Sequence, residues 1–201
     1  MPSRQLSRWI RLLLLVLCAS CATTESPKAP VETSRGVQEK IANLIANGTA
    51  GVVEPKTTAF SESEVNTALT VNLKEKIPKG IADAQVKLLG NSRIAARVVV
   101  DVDEFKRRSK RKSSGPLNFL GGKIPIVVSG GLVTGNGQGQ FKLQSAEANG
   151  IPLPKSLVLD LLASYTRTRN HPAGFDLEKL FDLPAGIRAV IVNAGEAIVV
   201  Q

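Results

Sequence analysis

Two cysteines, one histidine, one tryptophan and one tyrosine are all that this 201-residue chain holds of those types. Each scarcity removes a class of chemistry. Cys18 and Cys21 stand together in "LCASC" near the N-terminus, so no cysteine framework or cysteine-rich zinc site extends through the body of the chain. A C-x-x-C redox motif needs a folded βαβ or metal-site context. These two thiols instead lie in or beside a segment expected to be removed. His171, in the polar stretch "TRNHPAG", has no second ligand or nucleophile near it in sequence. No G-x-S-x-G, P-loop or EF-hand spacing occurs, and "GNGQG" lacks the lysine and following helix that phosphate cradling requires. The expectation is therefore a protein that is not an enzyme and carries no cofactor and no metal. Aromatic residues make up only 4% of the chain, so any core is aliphatic.

What is present starts with an address. Arg4, Arg8 and Arg11 precede an apolar run from Leu12 to Leu17, extended by Cys18 and Ala19. That is the build of a secretory signal, well short of the ~20 apolar residues of a membrane-spanning helix. Two cleavages fit: a plain signal-peptidase cut within "CASCA", or a lipoprotein cut. "LCASC" resembles the bacterial lipobox, in which Cys21 becomes the acylated first residue; it departs from that motif in having Cys18 where Leu is usual. The polar stretch over 21–35 reads as a tether and 36–201 as a single domain, and the resemblance implies residues 1–20 as the signal. It also implies a membrane partner through the lipid on Cys21. Ala22, where inner-membrane retention commonly uses Asp, implies an outer-membrane anchor facing the periplasm.

The formal charge is +9, and removing the three signal arginines leaves +6. The run "KRRSKRK" supplies six cations, Lys106, Arg107, Arg108, Lys110, Arg111 and Lys112, so the rest of the domain is neutral. Export and the absence of interleaved aromatics weigh against nucleic acid. An anionic membrane surface or headgroup fits better, at about 1 kcal/mol per basic residue. The alternatives are a structural or interaction module of the envelope that docks a protein partner through residues 106–112, and a solvated loop between two strands. Carboxylates gather at Asp101, Asp103 and Glu104, and again at Asp176, Glu178 and Asp182. Asp101 and Asp103 share a face if the strand continues through them, and a solvated face is the expected reading.

The hydrophobic periods outline an α+β domain. "SRGVQEKIANLIANGTAG" is a helix with Val37, Ile41, Leu44 and Ile45 on one face, ending at Gly48. Ser61 and Glu64 form a capping box, with Phe60 stapled onto Val65; Val65, Ala68, Leu69 and Leu73 then make an apolar stripe stopped by Pro78 and Gly80. From Ile81 the period becomes two, giving strands joined at Gly90-Asn91, with Ile94, Ala96, Val98, Val100 and Val102 inward. A further strand pair carries a bulge or bend at Gly130-Gly131. A second main helix over "IPLPKSLVLDLLASYTRTR" turns Leu157, Leu161 and Leu162 inward, and a last hairpin turns at Ala194-Gly195. Residues 77–100 and 183–200 echo one another as apolar-Pro-x-Gly-Ile, strand, turn, strand.

In "FSESEVNTALTVNLKEKIPKGIADAQVKLL" and "FDLPAGIRAVIVNAGEAIVVQ" the chain resembles small bacterial envelope lipoproteins related to the tubular lipid-binding (TULIP-like) fold. The resemblance covers residues 58–201. It implies a curved antiparallel sheet of hairpins wrapped around or packed on two main helices, a half-tube. It further implies a phospholipid or other apolar ligand held between sheet and helices. The inward aliphatics Val65, Leu69, Leu73, Val98, Val100, Ile126, Val128, Leu157, Leu161 and Leu162 are the candidates to line such a groove, or to be ordinary core.

Overall fold

Helix α1 (Pro30–Ala50) opens the part of the chain that the computed structural model describes, namely residues 30–50, 54–72, 79–108, 121–167 and 173–201. The segment expected as a signal, Cys18, Cys21, Leu73, Pro78, Lys110, Arg111, Lys112 and His171 lie outside these residues. Helix α1 begins inside the stretch expected as tether, and the fixed φ of Pro30 suits a first helical position. It buries Val37 and Leu44 completely. Ile45 is 49% exposed: one residue, or about 100°, beyond Leu44, it falls on the rim of the stripe. Gly48 does not end the helix. A Cβ there would overlap the Ala185 backbone, so its glycine serves close packing.

The capping box is present. The Glu64 N–H donates to Ser61 Oγ at 3.1 Å, and the Ser61 N–H donates to Glu64 Oε2 at 2.7 Å. It links strand β1 (Thr57–Ser61) to helix α2 (Glu62–Thr67), and Phe60 and Val65 are both buried in one core. The expected regular helix then widens into a π turn over Ala68–Asn72. Threonines sit on this stretch, and Thr67 and Thr70 each bond back to the carbonyl four residues earlier (2.9 Å), a contact that loosens α-helical geometry.

Strands β2 (Ile81–Gly90), β3 (Arg93–Asp101), β4 (Lys123–Gly135), β5 (Gln138–Ala148) and β6 (Ile151–Pro152) form one antiparallel sheet in that order, with β7 (Phe181–Asp182) also on β5. The turns carry the chemistry hairpins demand. Asn136-Gly137 and Asn149-Gly150 both have positive φ at each residue, the type I′ conformation. The β2–β3 turn is Asn91-Ser92, one residue later than expected, because Gly90 pairs with Arg93 as the closing position. The bulge expected at Gly130 is found between Ser129 and Gly130. A side chain at Gly130 would meet the Phe141 ring at 2.6 Å.

One element departs from the alternation. Strand β3 stops at Asp101, whose Oδ1 accepts from the Glu104 N–H at 2.9 Å and starts helix α3 (Val102–Arg108). Val102 is buried as expected, but from a helix, and Asp103 does not share a strand face with Asp101. Lys106, Arg107 and Arg108 end this helix and are not loop residues. Beyond β6, helix α4 (Lys155–Thr166) packs on β5.

The fold is thus α+β and built from antiparallel hairpins, but the strands divide into two sheets. Strands β8 (Ala189–Asn193) and β9 (Glu196–Val200), turning at Ala194-Gly195 as expected, join β1 in the order β1-β9-β8. The two echoing hairpins meet at their tips: the Gly195 N–H donates to the Leu88 carbonyl at 2.9 Å, and the Ser92 N–H to Val192 at 3.1 Å. Two apolar cores result. The larger gathers Leu44, Phe60, Val65, Leu132, Phe141 and the inward valines of β8 and β9, and the smaller holds Val100, Val102, Ile124, Ile126, Leu161 and Tyr165.

A candidate apolar groove between helices and sheet

The inward face of the large sheet is a grid of aliphatic side chains. On β3, Ile94, Ala96, Val98 and Val100 stand opposite Gly130, Val128, Ile126 and Ile124 of β4. Val86 of β2 faces Ala96, and Ala148 then Ile151 extend the Val98–Ile126 row to the sheet edge. The ends of this grid are closed. Ile94, Val100, Ile124 and Ile126 are buried, whereas Val86, Ala96, Val98 and Val128 between them keep intermediate exposure. Val128 and Leu153 touch both cores, so this half-buried strip is the seam where the two cores meet.

Helices border the seam on both sides. Helix α2 and its π turn lie on β2, bringing half-buried Leu69 to the edge of the larger core. Helix α4 lies on β5 and brings half-buried Leu157 to the smaller one. Of the candidate lining residues, Leu69, Val98, Val128 and Leu157 therefore sit along the seam, while Val65, Val100, Ile126 and Leu161 are buried as its walls and floor. Leu162 is half-buried and belongs to neither core. The stripe α4 buries is Val158, Leu161 and Tyr165, spaced three and four apart. "LVLDLLASY" is apolar on more than one face, so its periodicity leaves several stripes possible. Tyr165, the one tyrosine, donates its hydroxyl to the Asp101 carbonyl at 3.4 Å.

Polar side chains fix helix α2 to the edge strand β2, and sequence reasoning missed them. Asn66 Nδ2 donates to the Val86 carbonyl (2.9 Å) and its Oδ1 accepts from the Val86 N–H (2.7 Å). Glu62 Oε2 accepts from the Leu88 N–H at 2.8 Å. Thr134 Oγ1 does the same between the sheets, accepting from the Val190 N–H (2.8 Å) and donating to its carbonyl (2.9 Å). A lone polar residue on a helix or strand gives no sequence signal that it satisfies a distant strand edge.

The carboxylate clusters are engaged in holding the fold. Asp103 accepts from the Gly122 N–H at 2.9 Å, Asp176 from the Glu178 N–H at 3.0 Å, and Glu178 pairs with Lys155 of α4 at 2.5 Å. Glu104 pairs with Arg107 at 2.8 Å, and this hydrogen bond, reinforced by the Asp101 and Asp103 charges, raises the Arg107 pKa above its ordinary value. Among the described residues no group of three or more His, Cys, Asp or Glu is placed to hold a metal ion, and no helix is long and apolar enough to cross a membrane. No protein-family model, curated protein or solved structure matches the chain.

Proposed function

We propose that this protein is a non-enzymatic lipoprotein of the bacterial cell envelope, acylated at Cys21, that holds a lipid or other apolar ligand between its sheet and its helices. The observation that carries this reading is the seam. Val86, Ala96, Val98 and Val128 point inward yet are only partly buried, between Leu69 on one helical turn and Leu157 on another helix. An apolar surface of this kind gains about 25 cal/mol for each Å² that a hydrocarbon chain covers. The lining is aliphatic and without a polar anchor among its six residues, which suits an acyl chain better than a ligand needing hydrogen bonds.

The test is native mass spectrometry and lipid extraction of the full chain purified from membranes. A copurifying apolar molecule is expected in the wild type and not in a Val98→Phe/Val128→Phe variant, whose rings would fill the seam. Wild-type protein that carries no such molecule, and takes up no fluorescent fatty acid, would sink the reading.

A further inference from the structure

The opposite face of the large sheet is built differently. Across its outward rows, Lys87 faces Ala95, Ala95 faces Ser129, and Ser129 faces Ser145. One row away, Arg93 faces Gly131 and Gly131 faces Lys142; one row the other way, Arg97 faces Val127, with Glu147 beyond. The floor is small: the Ser129 and Ser145 hydroxyls bond each other at 2.7 Å, and Gly131 has no side chain. Lys87, Arg93, Arg97 and Lys142 are exposed, and none of the four enters an ion pair or side-chain hydrogen bond with the described residues. Strand spacings put them within a patch about 14 Å on a side.

Val133 continues the same face, and two further exposed apolar side chains lie on neighbouring segments. Val133, two positions along β4 from Gly131, is 54% exposed and pairs with Gln140. Leu180, immediately before β7, is 67% exposed. Ile191 is 48% exposed between buried Val190 and Val192, whose backbones are bonded to Thr134 and Ser92. Ile191 therefore points away from the core beside the end of β4. Unpaired cations next to isolated exposed aliphatics match the two layers of an anionic bilayer, phosphate outside and hydrocarbon beneath. A nucleic acid would use the cations but leave the aliphatics in water, and no aromatic side chain stands on these outward strand positions for base stacking.

We infer that this outer sheet face docks flat on an anionic phospholipid surface, with Lys87, Arg93, Arg97 and Lys142 on the headgroups and Val133, Leu180 and Ile191 dipping between them. This contact is separate from the ligand seam, which lies on the other face, and stands whether or not the seam holds a ligand.

The experiment compares partition of the full chain onto phosphatidylcholine vesicles with partition onto vesicles also containing phosphatidylglycerol. The N-terminal arginines and the 106–112 cations are the same throughout, so the change in that ratio on substitution reads the sheet face. Each of Arg93→Gln, Arg97→Gln and Lys142→Gln is expected to lower that ratio by about fivefold, in step with about 1 kcal/mol per cation at a charged surface. A ratio unchanged in the triple variant would overturn the inference. As a second measure, an environment-sensitive dye on Ser145→Cys, in a Cys18→Ser/Cys21→Ser background, should shift to the blue on anionic vesicles only. A bound chain whose dye stays in water would mean that another surface docks. Displacement from the vesicles by a short duplex DNA, with the same dye shift on the DNA alone, would give the face to nucleic acid instead.

Discussion

Asn66 and Val86 are joined by two hydrogen bonds, one to the Val86 N–H and one to its carbonyl, so a single side-chain amide stands where a neighbouring strand would pair. Strand β2 is an edge of its sheet, and an unpaired edge invites pairing with another chain. Together with Glu62 on the Leu88 N–H, this amide closes that edge while fixing helix α2 over the seam. Replacing Asn66 by Ala leaves a part-buried N–H and carbonyl unsatisfied, and should cost about 1–3 kcal/mol in urea unfolding. Asn66→Asp keeps the acceptor but sets a carboxylate oxygen against the Val86 and Glu62 carbonyls to which the amide donates, so a loss at least as large is expected. Equal stability of Asn66→Ala and the wild type would show that water replaces the amide without penalty.

Two glycines of the same helix should respond in opposite senses. Gly36 of α1 has open space where a Cβ would stand, so Gly36→Ala should stabilise by up to about 1 kcal/mol through helix propensity. Gly48→Ala gains the same propensity but drives its methyl into the Ala185 backbone, and a net loss of about 1–3 kcal/mol is expected. Thermal unfolding of both variants checks the pair. A stabilised Gly48→Ala would mean that α1 does not sit this close to residue 185.

Thr134→Val keeps shape and removes the hydroxyl that bonds Val190 on both sides. A loss of about 1–3 kcal/mol is expected. Hydrogen exchange should localise it, with faster exchange at the Val190 amide and along β8 and unchanged protection at the β3–β4 pairs.

Cys21→Ala tests the proposed anchor. The variant should lose acylation, seen as a missing mass increment, and should release from membranes more readily in high salt. A variant that partitions with membranes as the wild type does at all salt concentrations would remove the lipid from the proposal.

The sequence made hairpins legible because they are local. Alternating side chains and turn glycines act over a few residues, and the Ser61–Glu64 box likewise spans one turn. What escaped notice depends on distant partners. Asp101 looks like the next outward strand residue until its carboxylate caps α3, and "LVLDLLASY" does not say which stripe faces the sheet. The seam was legible in half. Val98 and Val128 follow from period two, but their intermediate exposure depends on where two helices come to rest. The cations of the outer face were hidden by the louder run at 106–112, since Lys87, Arg93, Arg97 and Lys142 meet only through strand register.

Among the described strands β1 pairs with β9 alone, with Thr57 against Val200 and Ser61 against Glu196. The larger core likewise takes Val190, Val192, Ala197 and Val199 from the last hairpin. Early and late segments must therefore both be present before the interior can close, a topology that slows folding. A nascent chain would stay loose and open to chaperones until the β8–β9 hairpin arrives, so the last hairpin acts as the latch that closes the interior.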